Sequence, residues 1–353
     1  MLNYIIRRLL WMIPTLFGIT LLVFVSIRLA PGDPATVMMG VGSGGEMSEG
    51  SDFASRIAAF KRENGLDRNV FVQYLGFIGP FNIKPDGHEL FGGSGKDPWS
   101  GLLALDLGTE LQRSNVPILE ELGRRLKVTL LLSFISILIT YALSIPLGIF
   151  SATRQGTVLD GAVTVVLFLL FSIPTFWAGL MLILAFGQSG LGWLPVLGLE
   201  SKDAANLSGL EALWDRGLHL IMPVMVYTYG SFAYLSRQMR VGMMDVIRQD
   251  YIRTARAKGL SERVVIFKHA LRNSLIPVVT LFASVLPILI GGSVVVEYVF
   301  DIPGMGRYAY EGLVQRDYNI IMATTTFSAF ATLIGILLSD ITYALVDPRI
   351  SYE

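Results

Sequence analysis

The sequence predicts an all-α polytopic membrane protein with six transmembrane helices. Three observations predict it. The 353 residues have a mean hydropathy of +0.57 and only 16% charged residues, against about 25% in soluble domains. Six stretches of 19 or more residues hold no Asp, Glu, Lys or Arg, and a bilayer core about 30 Å thick is crossed by ~20 residues rising 1.5 Å each. These stretches do not alternate polar with apolar residues, as the strands of a membrane β-barrel must.

Taken in order, residues 9–27 form the first span. Arg7 and Arg8 before it imitate a signal peptide, but 19 uncharged residues exceed the usual h-region of about 7–15. The run therefore reads as a retained N-terminal transmembrane segment, 1–29. Residues 30–126 are ordinary polar sequence with spaced aromatics (Phe71, Tyr74, Phe77, Trp99) and read as an extracytoplasmic lobe. Within it, residues 40–52 are rich in Gly, Ser and Glu and read as a flexible insertion. The second span is 128–153 and the third lies in 161–199, whose 39 residues exceed one crossing. Gly187, Gly190, Gly192 and Pro195 turn its second half into a non-spanning loop. Residues 217–236, 273–296 and 318–339 complete the set. The helical core is thus 127–346, followed by a tail at 347–353.

Charge sets the expected orientation. Residues 237–272 carry nine Lys and Arg against three acids, whereas the loops 200–216 and 297–317 carry two basic residues each. By the positive-inside rule the basic loop and both termini are cytoplasmic. Arg124, Arg125 and Lys127 stand on the wrong side for that assignment.

Several chemistries are excluded. With 28 basic and 28 acidic residues there is no bulk charge for nucleic acid, and with no cysteine there is no disulfide or thiolate metal site. Gly40-x-Gly42-x-x-Gly45 lacks a preceding strand, and Gly95-Lys96 lacks the phosphate-loop spacing. His88, His219 and His269 are scattered, without metal-ligand spacing. Gly187-Gln188-Ser189-Gly190 has the letters of an intramembrane serine nucleophile, with His219 as the one histidine in a span, but reads as a turn. The spans hold no acidic residue, which argues against a self-powered proton-coupled carrier. A passive pore or a pathway powered by another subunit remains.

The basic loop is the informative segment. Met244, Ile247, Tyr251 and Ala255 fall at helical spacing on one face. Gly259 supplies a stop, with Arg256 and Lys258 complementing the last turn. Ser261 then caps a second helix with Glu262 in its first turn, and Val264, Phe267 and Leu271 continue an apolar stripe. Two short amphipathic helices joined by a glycine turn form a wedge suited to a partner's groove.

The loop Tyr251-Ile252-Arg253-Thr254-Ala255-Arg256-Ala257-Lys258-Gly259-Leu260, with Lys268-His269-Ala270-Leu271-Arg272-Asn273 and Pro277, resembles the coupling loop of binding-protein-dependent ABC importers. It is most similar to the oligopeptide/dipeptide permease branch. Where the general pattern has Glu-Ala-Ala, this chain has Arg253-Thr254-Ala255, a departure typical of that branch. Further matches are Ala30-Pro31-Gly32-Asp33-Pro34, Gly65-Leu66-Asp67, Gln73-Tyr74, Leu107-Gly108, Glu297-Tyr298-Val299-Phe300, Pro303-Gly304-Met305-Gly306, Arg316-Asp317-Tyr318, Asp340, Tyr343 and Asp347-Pro348-Arg349. Asn319 stands where the branch usually has proline.

The resemblance implies the type I importer permease fold in a bacterial or archaeal cytoplasmic membrane. It implies a subunit that imports peptides or a related solute by alternating access, without an ATPase site or cofactor of its own. The implied partners are a second, related permease, two cytoplasmic ATPases that bind ATP and magnesium, and an extracytoplasmic binding protein. The implied coupling residues are Arg253, Thr254, Ala255, Arg256, Ala257, Lys258, Gly259, Leu260, Ser261 and Glu262. Glu297, Tyr298, Phe300, Pro303, Gly304 and Gly306 would lie at the outer gate and the binding-protein dock. Pro146, Pro174, Pro223 and Pro287 interrupt predicted spans and are candidate hinges.

Overall fold

A computed structural model describes residues 2–33, 35–36, 51–79, 100–113, 115–275, 278 and 291–346. The glycine-rich letters at 40–45, Lys96, Trp99, Pro277, Pro287, most of the fifth run and the tail lie outside the described residues.

The chain divides into two compact units. The first comprises Met1–Ile5, Lys127–Arg307 and Ala331–Glu353. Its main helices are α4 (Ile118–Thr153), α5 (Val158–Ser172), α6 (Thr175–Phe186) and α7 (Gly209–Ile247), followed by α8 (Asp250–Ala257). Then come α9 (Glu262–Val264), a π-helical turn (Val265–Ala270), α10 (Leu271–Ser274) and α11 (Val294–Val299). The second unit comprises Ile6–Leu126 and Tyr308–Phe330. It holds most of α1 (Leu2–Leu29), with α2 (Ser51–Glu63), α3 (Val70–Ile78) and most of α12 (Met305–Gln315). The last helix, α13 (Tyr318–Val346), runs through both ranges.

Among the described residues, four helices are long and apolar enough to cross a membrane: Asn3–Leu29, Ile118–Thr153, Gly209–Ile247 and Tyr318–Ile341. The third run differs from a straight span, because α5 and α6 meet at 98°. Pro174 explains the break. It has no N–H to continue the helix, Ile173 before it is extended (φ −76°, ψ 125°), and the carbonyl so freed accepts from Tyr229 Oη at 2.6 Å. The expected loop does begin at Gly187, where α6 ends.

Pro146 and Pro223 behave differently. Helices α4 and α7 run through them without interruption. The two helices are clasped beside Pro146, where Ser144 Oγ donates to the Phe232 carbonyl at 3.2 Å, and Pro223 is itself buried. Lateral packing sustains each helix despite one missing backbone bond.

Helix α7 has 39 residues, about 58 Å at 1.5 Å per residue, nearly twice the ~30 Å thickness of a bilayer core. Ser208 and Glu211 start it with a reciprocal capping box. Its far end enters a core of Leu235, Met239, Met243, Ile252, Val265, Ala270 and Val278. A second core joins Leu132, Met222, Val296, Phe300 and Ile302.

In the second unit, Ser51–Glu63 and Val70–Ile78 of the expected lobe are helical. Asn69 caps α3 by accepting from Phe71 N–H at 2.9 Å. Tyr74 packs with Phe24 and Met322, its hydroxyl within 3.0 Å of Thr20 Oγ1. Phe71, by contrast, is 68% exposed. Residues 51–52, placed at the end of a flexible insertion from composition, instead begin α2.

Candidate functional sites

The basic loop folds as two turns of structure around Gly259. Helix α8 closes with a Schellman pattern: Gly259 N–H donates to the Arg256 carbonyl at 2.9 Å and Leu260 N–H to the Ala255 carbonyl at 3.4 Å. Gly259 has φ +76°, the left-handed region that side chains other than glycine enter only at a cost. A Cβ there would meet nothing within 4 Å, so the turn is open to a partner. Across it, Arg256 Nε donates to Glu262 Oε1 at 2.7 Å, and that bond holds the guanidinium above its usual range. Ser261 stands at the N-cap of α9 but makes no side-chain capping bond.

The faces differ from those expected. Helix α7 ends at Ile247 and Gln249 is extended (φ −72°, ψ 151°), so Met244 and Ile247 lie on α7, and Tyr251 and Ala255 on α8. Ile252 and Ala255 are buried, whereas Tyr251 is 41% exposed. After Gly259 the buried residues are Val265, Ile266 and Ala270; Leu271 packs partly buried against the same core, whereas the expected Val264 and Phe267 are exposed. The π turn explains the shift, because its wider winding moves the buried stripe off the 3.6-residue register. Tyr251, Leu260, Val264 and Phe267 are thereby left exposed, flanked by the cations Arg253, Arg263 and Lys268. The elbow presents a mixed apolar and basic surface. Thr254 Oγ1 donates back to the Asp250 carbonyl at 3.0 Å, and Arg253 pairs with Asp250.

The segment Glu297–Gly306 is built around a buried carboxylate. Glu297 is fully buried. Its Oε1 accepts from Thr129 Oγ1 at 3.0 Å and Tyr227 Oη at 3.4 Å, and its Oε2 accepts from Arg307 N–H at 2.8 Å. Gly306 N–H also donates to it. Burial pushes the carboxyl above the usual range while these donors pull against that rise. Thr129 Oγ1 in turn accepts from Met305 N–H at 2.8 Å. Glu297 therefore caps the first turn of α12, and Gly304 is small because a Cβ there would collide with the Glu297 carboxyl. Phe300 is buried with Gly304 and Gly306, whereas Tyr298 and Pro303 are exposed. Of the six outer residues, only these two offer side chains to a partner.

Other polar sites were not legible. Asp160 is 4% exposed and accepts from Arg240 Nε at 3.0 Å and from its terminal nitrogen at 2.8 Å. Ser151 Oγ and Gly156 N–H donate to it as well. Their 80-residue separation carries no local signal. Asp317 is fully buried, accepting from Leu111 N–H at 2.6 Å and from Ile320 N–H at 3.1 Å. Of the basic residues before the second span, Arg125 pairs with Glu121 at 2.6 Å and lies over the Tyr308 ring at 4.9 Å, and Arg124 faces Glu120 and Glu121.

His219 is buried, its Nδ1 2.9 Å from the Asp215 carbonyl on its own helix. Ser189 is exposed in the turn after α6, and no hydrogen bond joins the two among the described residues. Among the described residues no group of three or more His, Cys, Asp or Glu is placed to hold a metal.

Residues 144–352 match the family described as the binding-protein-dependent transport system inner membrane component. The oligopeptide transport system permease protein AppB of Bacillus subtilis (strain 168) is 41% identical over 349 residues, covering 99% of each chain. The dipeptide transport system permease protein DppB of Escherichia coli (strain K12) is 33% identical over all of both chains. The di/tripeptide transport system permease protein DppB of Pseudomonas aeruginosa (strain UCBPP-PA14) is 35% identical, again over all of both. Among solved structures, the inward-facing MetNI methionine ABC transporter matches with a TM-score of 0.50 at 18% identity, covering 65% of this chain and 97% of that chain, and so supports the fold. Family membership makes the chain a membrane permease subunit whose ATP-hydrolysing sites reside in separate partner subunits. The full-length identity to these permeases and the matched core over 144–352 place the chain in the family of binding-protein-dependent transport system inner membrane components, among its oligopeptide and dipeptide permeases.

Proposed function

We propose that this chain forms half of a translocation pathway for di- or oligopeptides, the solute class that the names of its relatives carry. A second, related permease supplies the other half. Two cytoplasmic ATPases bind ATP and magnesium and close on each other in the ATP state. The elbow of α8, Gly259 and α9 docks in a cleft of one of them, and that closure tilts the permease from inward- to outward-facing. To shift such an equilibrium decisively, the nucleotide state must favour one conformation by about 5 kcal/mol.

The observation that carries this reading is the elbow itself. Tyr251, Leu260, Val264 and Phe267 are exposed beside cations, around a left-handed glycine with open space over it. In this reading both termini and the elbow are cytoplasmic. Tyr298 and Pro303 face the binding protein together with the lobe at 30–126. Pro174, at the bend between α5 and α6, is the hinge; Pro146 and Pro223 soften α4 and α7 without breaking them.

Reconstitution tests it. The permease pair with both ATPases hydrolyses ATP faster when peptide-loaded binding protein is added outside. A nucleotide-independent conductance with no such stimulation would instead make the assembly a passive pore.

A further inference from the structure

Helices α4, α5 and α7 enclose a cavity of about 310 Å³. Its polar end is formed by Ser236, Arg237 and Arg240, and its apolar wall includes Phe168 and Phe171. Three features set it apart. Ser236 is 2% exposed, and its hydroxyl has no hydrogen-bond partner although it lines the cavity; a buried hydroxyl without a partner costs about 1–3 kcal/mol. Arg240 is already neutralised by Asp160, but Arg237 makes no ion pair or hydrogen bond among the described residues. The apolar wall is open on its outer side, with Phe168 68% and Phe171 62% exposed.

Depth adds the last element. Arg237 directly follows the uncharged run 217–236, at the edge of the membrane. Along α5, Phe168 and Phe171 lie 8 and 11 residues beyond Asp160, about 12 and 16 Å into the bilayer at 1.5 Å per residue. A cation and an unpartnered hydroxyl at headgroup level, above an aromatic wall at acyl-chain level, match an anionic amphiphile. Basic pockets between transmembrane helices on the cytoplasmic side take such headgroups.

We propose that this cavity binds the phosphate of an anionic phospholipid from the cytoplasmic leaflet, with Arg237 as the cation, Ser236 donating to a phosphate oxygen, and one acyl chain lying along Phe168 and Phe171. The leaflet assignment rests on the orientation given above; the site itself does not.

The test uses the full chain in complex with its partner subunits, in micelles of detergent and phosphatidylcholine titrated with phosphatidylglycerol, with bound lipid counted by native mass spectrometry. Arg237→Gln weakens retention of phosphatidylglycerol about five-fold, the ~1 kcal/mol worth of one cation at an anionic lipid surface. Adding Ser236→Ala brings the loss to about twenty-fold. Arg272→Gln, which removes an exposed cation at the end of the same loop, leaves retention unchanged. Equal loss in Arg272→Gln and Arg237→Gln would reduce the effect to diffuse charge and overturn the site. Displacement of the lipid by millimolar inorganic phosphate or by a dipeptide would likewise overturn it, making the cavity a free-anion site or part of the solute path. Orientation is read separately, because the chain has no cysteine. Arg272→Cys is labelled by an impermeant maleimide in inverted vesicles only; labelling in right-side-out vesicles would overturn the leaflet while leaving the lipid titration to judge the site.

Discussion

Removing the Glu297 carboxylate should loosen the first turn of α12. Besides the Ser293 N–H, which also donates to Tyr227 Oη, its two oxygens take four donors: Thr129 Oγ1, Tyr227 Oη, Arg307 N–H and Gly306 N–H. A hydrogen bond to a charged group contributes about 1.5–3 kcal/mol, and a buried donor left without an acceptor costs about 1–3 kcal/mol. Glu297→Gln keeps one oxygen for the two backbone donors. It turns an NH2 group toward two hydroxyls, each of which already accepts a backbone N–H, from Met305 and Ser293. A net cost of about 1–2 kcal/mol follows after relief of the desolvated charge. Glu297→Ala strands all four donors and costs about 4 kcal/mol. Hydrogen exchange reads this locally: the amides of 305–307 should exchange about ten-fold faster in Glu297→Gln and about a thousand-fold faster in Glu297→Ala, at 1.4 kcal/mol per factor of ten. The elbow at 250–262, in a different packing cluster, should exchange as before. Unchanged protection of 305–307 in both variants would refute the capping role.

Gly259→Ala meets no steric neighbour, so only its φ of +76° opposes it, costing about 1–2 kcal/mol of local turn stability. Gly259→Asn tolerates that φ better, so ATPase stimulation that survives in Asn but drops in Ala identifies turn geometry as the requirement. Loss in both identifies close approach by the partner, and full stimulation in Gly259→Trp would refute the wedge. Asp160→Asn leaves Arg240 half-buried without its counter-charge and should cost about 2–3 kcal/mol, seen as a lower thermal midpoint; an unchanged midpoint would show the pair to be dispensable. Pro174→Ala restores an N–H at the bend and should slow uptake while leaving membrane insertion intact; normal uptake would remove Pro174 as a hinge.

The membrane class was legible because uncharged length is a direct physical demand of the bilayer, and the first, second, fourth and sixth runs each fall within a helix, although α4 begins at Ile118 and α7 runs from Gly209 to Ile247, past the charges that bound their runs. The Gly259 stop was legible too, since a Schellman turn has a local chemical signature. The faces of the two short helices were not. Periodicity assumes 3.6 residues per turn, and the π turn at Val265–Ala270 moved the buried stripe from Val264 and Phe267 to Val265 and Ile266. The bend at Pro174 could be suspected from Ser172-Ile173-Pro174, but the same tripeptide at Ser144-Ile145-Pro146 gives no break. Beside Pro146 the Ser144 hydroxyl donates to the Phe232 carbonyl, whereas at Pro174 the Ile173 carbonyl accepts from Tyr229; local sequence records neither partner. The roles of Asp160, Glu297 and Asp317 as buried acceptors depend on partners 80 to 206 residues away.

In the proposed assembly, solute moves through this chain only when a separate ATPase acts on its elbow. The decisive experiment is peptide uptake into proteoliposomes, comparing the permease pair alone with the pair plus both ATPases, internal ATP and external loaded binding protein. Uptake is expected in the complete assembly, none in the pair alone, and loss in the complete assembly carrying Gly259→Trp. Uptake at the same rate by the permeases alone would show that no ATPase is needed.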